Sequence, residues 1–339
     1  MLRRVKMVDE TTTEKKRLRW GFLSTARINR ALIEPLASSS RNELVAVASR
    51  SFEKARAYSQ EWNISKAYGS YQELLEDQDV DVVYVSLPNG LHAHWTINAM
   101  NAGKHVLCEK PLALNVSDVD AIIETRDRTG RVVAEAFMYR HHPQTFRVKE
   151  LLDGGEIGEV RLIRGAFTFS LSRRNDVRLD ASLGGGSLWD VGCYPVNFTR
   201  FLLSSEPDEV FGWQVTGSSG VDLVFAGQMR FEGDIFAQFD CGFTTPFRAT
   251  MEVVGSKGVI SIPNPFKPAF GEKIHLHREA GTELIAVPDQ DLYIGEVEDM
   301  ADAILERRAP RISLEDSRAN TSVLVALLES ARMGKAIHL

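Results

Sequence analysis

Glycine is scarce where a nucleotide-binding chain usually concentrates it, cysteine is scarce everywhere, and neither a basic excess nor a long apolar run occurs. The three cysteines, Cys108, Cys193 and Cys241, lie far apart with no CxxC spacing. That excludes a disulfide framework and a local zinc motif and fits a reducing compartment, so a cytoplasmic protein is expected. The formal net charge of −6 offers no basic field, so nucleic acid is not an expected partner. No window approaches ~18 consecutive apolar residues, so no membrane association is expected. Residues 1–17 are charged and lack an apolar signal-peptide core; they read as a short mobile tail.

What is present is ordinary globular material, 44% hydrophobic and 25% charged, in 339 residues. At ~150 residues each that suggests two domains. From Leu18 to about Phe137, short β-branched runs (LRWGFL, ELVAVAS, KAYG, VDVVYVSL, KHVLC, RVVAEAF) alternate with helical segments. Ser70 with Glu73 and Ser117 with Asp120 look like capping boxes that mark helix starts. Alternating strands and helices with nearly continuous apolar strands indicate α/β architecture, a doubly wound parallel sheet over residues 18–138. After Pro143 the rhythm changes to one helix ending at Asp153 and then long strands through Ile262, with helices at Gly295 to Glu306 and Leu314 to Met333. Residues 139–339 read as an α+β domain with a mostly antiparallel sheet. No internal repeat is visible.

The stretch WGFLSTARIN, Trp20 to Asn29, stands where a phosphate-binding turn would lie, yet Gly21 is its one glycine. A strand running into a helix places Ser24, Thr25, Ala26, Arg27 and Ile28 at a helix N-terminus. Backbone N–H groups there favour an anion provided the side chains are small, and the two hydroxyls could add donors. The degraded pattern S-x-A-x-x-N reads equally well as a plain strand-to-helix turn. The next strand ends in Ser49 and Arg50 with no carboxylate, which suits a 2′-phosphate and points to NADP over NAD; a solvated surface arginine is the alternative. Lys110 follows another parallel strand at the edge where such sheets bind ligands. Beside an oxidised nicotinamide its ammonium would be destabilised and could share a proton with a substrate hydroxyl, unless it simply faces water.

GKHVLCEKPLA, Gly103 to Ala113, taken with VDVVYVSLPNGLHAHW, EAFMYRHHPQ and LGGGSLWDVGCYP, resembles the glucose-fructose oxidoreductase and inositol dehydrogenase family of NAD(P)-dependent sugar oxidoreductases, from Leu18 onward. The resemblance implies a Rossmann domain joined to a domain whose open sheet often mediates oligomerisation, hence a homodimer or homotetramer. It implies that Lys110 is the active-site lysine and that Leu87, Pro88, Asn89, His92, Glu109 and Lys110 join residues 24–28, Ser49 and Arg50 around the coenzyme. Arg178 matches a position that in relatives often reaches coenzyme or substrate, with a surface loop arginine as the alternative.

SLWDVGCYPVNFTRFLL, Ser187 to Leu203, completes the candidate site. Asp190, Tyr194 and Asn197 form a polar row beside an apolar stripe, and Pro195 with Gly192 should kink the helix. Asp190 could merely cap the helix with Ser187, and Tyr194 could be a core aromatic. The family commonly has a histidine where Tyr194 stands. That departure moves the resemblance toward dimeric dihydrodiol dehydrogenase, NADP-dependent xylose dehydrogenases and nucleotide-sugar ketoreductases. In that reading Tyr194, with an ordinary pKa near ~10, is brought toward neutrality by Lys110 and the nicotinamide, and Asp190 orients the substrate. His141 and His142 could touch substrate; His92 and His94 lack a ligand set for a metal. The expected function is NADP-dependent hydride transfer to or from a sugar or sugar-like polyol. The rivals are a nucleotide-diphospho-ketosugar reductase and a non-catalytic sensor or partner subunit.

Overall fold

The computed structural model describes residues 17–173 and 175–339, so most of the expected tail lies outside the described residues. Arg17, assigned to that tail, instead belongs to the fold, its guanidinium donating to the Asn42 carbonyl at 2.6 Å.

The first sheet runs β1 (Leu18–Leu23), α1 (Arg30–Ser38), β2 (Asn42–Ala48), α2 (Phe52–Glu61), β3 (Lys66–Tyr68), α3 (Tyr71–Glu76), β4 (Val82–Val85), α4 (His92–Asn101), β5 (His105–Glu109), α5 (Val116–Thr129) and β6 (Val133–Ala136). Its six strands are all parallel in the order β3-β2-β1-β4-β5-β6. The order reverses between β1 and β4, which opens a crevice at their carboxyl ends. Both sheet faces are covered: Leu74, Val83, Val106 and Ile122 pack in one layer, Phe22, Leu32, Tyr84 and Leu107 in the other. That is why these strands carry little polar alternation.

The α3 cap forms as expected, Ser70 Oγ accepting from the Glu73 amide, although Glu73 reaches back to the Gly69 amide. The Ser117–Asp120 box does not form. Asn115 caps α5 instead, its Oδ1 accepting from the Asp118 amide at 2.8 Å, because the helix begins a turn earlier than its apolar periodicity signals.

The chain continues through α6 (Pro143–Asp153), β7 (Val160–Ser170), α7 (Cys193–Leu203), β8 (Glu209–Thr216), β9 (Asp222–Phe231), β10 (Ile235–Gly242), β11 (Thr244–Gly255), β12 (Gly258–Pro263), β13 (Lys273–Arg278), β14 (Gly281–Ala286), α8 (Ile294–Leu305), α9 (Leu314–Met333) and β15 (Ile337–His338). Nine strands form one sheet, β14-β13-β12-β11-β7-β10-β9-β8-β15, antiparallel except where β7 meets β10. On β9 buried Phe225, Met229 and Phe231 alternate with exposed Ala226, Gln228 and Arg230. One face therefore packs on helices and the other is open. Strands β8, β13, β14 and β15 escape the sequence reading.

Helix α8, which sequence division assigns to the second unit, packs on the first sheet. Val297, Met300 and Ala301 join the layer containing Leu32 and Leu36. Arg41 ties it down through Glu298 and through Asp302 at 2.6 Å. Among the described residues no helix is long and apolar enough to cross a membrane.

Candidate active site

A cleft of about 690 Å³ runs from the carboxyl ends of β1 and β2 to the junction with the nine-stranded sheet. Ser24, Thr25, Ala26, Arg27 and Ile28 line one end with Ser49 and Arg50; Leu87, Pro88, Asn89, His92, Glu109 and Lys110 follow; Arg178, Asp190 and Tyr194 close the other end. Every residue that the sequence placed at the coenzyme or in catalysis is therefore on one surface.

Ser24 stands at φ 151, a conformation that favours glycine. Hydrogen bonds hold it there. Its Oγ accepts from the Ala26 amide at 3.0 Å, exchanges a bond with Ser86 Oγ at 2.8 Å and donates to the Ser86 carbonyl, while Asn29 Nδ2 donates to its carbonyl at 2.8 Å. The Ser24 hydroxyl is thus engaged within the protein and is not the free anion donor expected. Gly21 sits inside β1, where a Cβ would come within 2.9 Å of Leu74, so its role is strand packing. A 3₁₀ turn at Arg27–Asn29 leads into α1, and Arg27 and Ile28 line the cleft end; the first amides of such a turn have no carbonyl of their own helix to bond.

At the end of β2, Arg50 interacts with Tyr71, and Lys54 from the first turn of α2 joins them; among the described residues no carboxylate lines this corner. Lys54 and Tyr71 were missed from sequence because helix geometry, not a motif, brings them beside Ser49. The set fits a phosphorylated ribose: two cations, two hydroxyl side chains and no acid to repel the anion.

His92 lines the cleft, but both its ring nitrogens face backbone carbonyls, of Leu87 and Pro111, at 2.7 Å. Its work is to fasten the turn after β4 to the EKP turn, and neither nitrogen is left for a ligand. Glu109 likewise accepts from the Tyr84 hydroxyl, and burial pushes its pKa up.

At the far end Lys110 donates to the Asp190 carbonyl at 2.7 Å and lies 3.4 Å from its Oδ1. Arg178 Nε donates to Asp190 Oδ2 at 2.7 Å, and Nη1 to Asp176 at 3.2 Å. Burial opposes the Lys110 ammonium, but Asp190, then Cys193 and Glu109, outweigh it and hold the pKa above the ordinary lysine value. The expected destabilisation of that charge is therefore not a property of the protein alone. Asp190, also opposed by burial, is held below the usual carboxylate range by Lys110 and Arg178. It is not a helix cap: Ser187 donates to Asp222 at 2.6 Å, and Asp222 also accepts from the Leu188 amide at 2.8 Å. Asp190 rides on a π-helical turn, Leu188–Gly192, that precedes α7, so the distortion expected at Pro195 falls one turn earlier. The glycine run before it is required. Gly186 has φ 125, and a Cβ there would meet Asp222 Oδ1 at 2.3 Å.

Tyr194 is both a cleft residue and a packed aromatic. Its ring lies 5.2 Å from Phe266 and 5.3 Å from Phe167, and its hydroxyl points to Met138 Sδ at 3.7 Å. The Lys110 ammonium sits over the ring face, 5.1 Å from the centroid, not at the hydroxyl. Burial holds the Tyr194 pKa well above the usual tyrosine value, the opposite of the expected lowering. Asn197, on the same row, is not in the cleft; it accepts from the Tyr139 hydroxyl and from Arg140. His141 and His142, open candidates for substrate contact, do not line the cleft. Burial, then Arg311 and Arg140, drive His141 down to about 3, and it lines a separate surface hollow, whereas His142 Nδ1 caps α6 by accepting from the Gln144 amide. Among the described residues no group of His, Cys, Asp and Glu could hold a metal.

The chain matches two family descriptions, an oxidoreductase family with an NAD-binding Rossmann fold over residues 18–137 and a GFO/IDH/MocA C-terminal domain over residues 145–261. It is 35% identical over 324 residues to a D-xylose 1-dehydrogenase (NADP(+)) of Haloferax volcanii, covering 94% of this chain and 99% of that protein. It is 34% identical over 333 residues to a dTDP-3,4-didehydro-2,6-dideoxy-alpha-D-glucose 3-reductase of Streptomyces violaceoruber, covering 96% of each. A 3-ketoreductase from Actinomadura kijaniata, solved in complex with NADP and TDP-benzene, superposes with a TM-score of 0.89 at 30% identity over 93% of this chain and 98% of that one. With the switch-point cleft and the EKP turn in place, these matches make the chain a member of the GFO/IDH/MocA oxidoreductase family.

Proposed function

We propose that this protein is an NADP-dependent oxidoreductase whose substrate is a sugar or sugar-like polyol. One observation carries the reading: a single cleft joins the Arg50 and Lys54 corner to Lys110, Asp190 and Tyr194. The names of the relatives, a xylose dehydrogenase and a ketosugar reductase, agree with it.

The nicotinamide, when bound, supplies the hydride acceptor or donor. The chain's own residues do the rest. Lys110, anchored by Asp190, presents a cation to the substrate oxygen. Tyr194, kept protonated by burial, gives its proton to the substrate oxygen in reduction; in oxidation it first loses that proton to solvent and then, as the phenolate, takes the proton of the substrate hydroxyl. Asp190 acts through Lys110 and Arg178 and orients them rather than the substrate. Phe167, Phe169 and Phe247 wall the substrate end against water.

The open face of the nine-stranded sheet, with exposed Trp213 and Val215, is the surface through which we expect self-association. Sedimentation of the wild type against Trp213→Glu tests this; two monomers would refute it. The three unpaired buried thiols suit a reducing, cytoplasmic setting.

Following reduced-coenzyme absorbance with aldoses, polyols and dTDP-ketosugars tests the function. Turnover of aldoses supports the dehydrogenase reading; turnover of dTDP-ketosugars alone selects the reductase that the second relative resembles. Coenzyme binding without turnover of any of them would identify a sensor or partner subunit.

NADP should bind roughly 10- to 100-fold more tightly than NAD, the return on one charge-assisted contact. Fluorescence titration of both coenzymes checks it, with Arg50→Ala expected to abolish most of the preference. Tighter NAD binding would refute the assignment.

Ser24→Gly and Ala26→Gly should leave NADP affinity nearly unchanged, since backbone amides at the start of the α1 segment hold the pyrophosphate. Ala26→Asp should weaken it at least ~10-fold through like-charge repulsion. Normal binding by that variant would remove residues 24–28 from the pyrophosphate site.

A further inference from the structure

At the mouth of the cleft, on the substrate side, Lys267 has no assigned part in the chemistry. It stands in the segment PNPFKP between β12 and β13, where Pro263, Pro265 and Pro268 restrict the backbone. The turn is closed by the Lys267 amide donating to the Asn264 carbonyl at 3.3 Å, and Asn264, at φ 47, donates from its side chain to Glu272 at 2.9 Å. Phe266 anchors it, fully buried, stacked 5.2 Å from Phe167 and tilted against Tyr194 at 5.2 Å. The turn puts an exposed lysine in the lining of the cleft that also holds Lys110 and Tyr194.

The acids of this region are already engaged. Asp190 holds Lys110 and Arg178, Asp176 holds Arg178, and Glu109 accepts from Tyr84. No acidic side chain among the described residues lies within ion-pair distance of the Lys267 ammonium; the residue is exposed at the cleft surface, and Lys110 is a like charge acting on it. The rest of the substrate end is Met138, Phe167, Phe169, Val177, Phe247 and Tyr293. Such walls offer few neutral partners to a sugar with many hydroxyls. They favour a ligand with an apolar or aromatic face and one negative group.

We propose that Lys267 is the counter-ion for an anionic group on the substrate, so that the enzyme's sugars are acidic ones bearing a carboxylate or a phosphate away from the reacting carbon. This rests on the oxidoreductase reading above and narrows its substrate class. The anion neutralises a cation at the substrate end of the cleft that no carboxylate of the described residues pairs, whereas Lys110 and Arg178 beside it are held by Asp190.

The test is calorimetric titration of the NADP-loaded protein with D-glucose, D-glucuronate, D-glucose 6-phosphate and dTDP-glucose, for the wild type, Lys267→Arg and Lys267→Gln. The wild type should bind at least one anionic sugar ~10-fold or more tightly than D-glucose. Lys267→Gln should collapse that ratio toward one, Lys267→Arg should keep most of it, and added salt should reduce it. The anion with the largest ratio tells carboxylate from monophosphate and from nucleotide diphosphate. Equal binding of neutral and anionic sugars by the wild type, or an unchanged ratio in Lys267→Gln, overturns the proposal. Because binding is read, a protein that binds the anion through Lys267 yet never reduces NADP would refute the oxidoreductase reading and leave this one standing.

Discussion

Tyr194→Phe is expected to lower kcat by roughly 10²- to 10⁴-fold, the range of a general acid–base group, with NADP affinity held. The structure makes the experiment clean. The ring packs between Phe167 and Phe266, so phenylalanine preserves the packing, and among the described residues the hydroxyl's one hydrogen-bond partner is the Met138 thioether at 3.7 Å. Stability should change by under ~1 kcal/mol. A purely structural tyrosine would leave turnover near normal. Lys110→Ala should be similarly damaging, and the double variant should fall well short of the product of the single losses, because both residues serve one substrate oxygen. Steady-state kinetics on folded variants separates these cases. A Tyr194→Phe enzyme with wild-type kcat would return the proton to Lys110 alone.

Asp190→Ala should be the most destabilising change in the cleft, by about 3–5 kcal/mol, the loss seen when one partner of a buried pair is removed. Its side chain is 13% exposed and that of Lys110 12% exposed, and no other carboxylate bonds the Lys110 ammonium among the described residues. The same change should lower the pKa of Lys110, since Asp190 is the leading cause raising it against burial. Denaturant unfolding measures the first effect and the pH profile of kcat/KM the second. A variant as stable as wild type with an unmoved profile would mean that Asp190 does not position Lys110.

Much of this site is legible before any coordinates. The apolar runs of β1, β2, β4, β5 and β6 fix a parallel sheet, and the sheet order then puts the segments after each strand on one edge. Ser24, Arg50 and Lys110 follow from that, whereas Asn89 rests on the family resemblance. What was not legible has physical causes. Strand β14 is almost wholly exposed, so its residues carry no apolar alternation to read. The placement of α8 on the first sheet depends on Arg41 meeting Glu298 and Asp302, contacts more than 250 residues apart in sequence. Asp190 looked like a cap because Ser187 precedes it by three; Asp222, from another strand, takes Ser187 instead. Lys54 and Lys267 carry no motif at all, and only the folded arrangement brings them to the cleft.

The same reasoning explains the glycine-poor turn. Ser24 adopts the backbone that glycine would, and four hydrogen bonds stabilise it against a strain of ~1–3 kcal/mol. A small residue is enough where the amides of the following turn do the binding.

The most direct test of the central claim follows the hydride. An aldose deuterated at its anomeric carbon is incubated with NADP and the enzyme, and the coenzyme is examined by mass spectrometry. If the cleft joins coenzyme and sugar as proposed, deuterium appears in NADPH in step with sugar oxidised and transfer nearly vanishes in Lys110→Ala. Sugar oxidised with the label lost to water, or transfer undiminished in Lys110→Ala, would contradict the account.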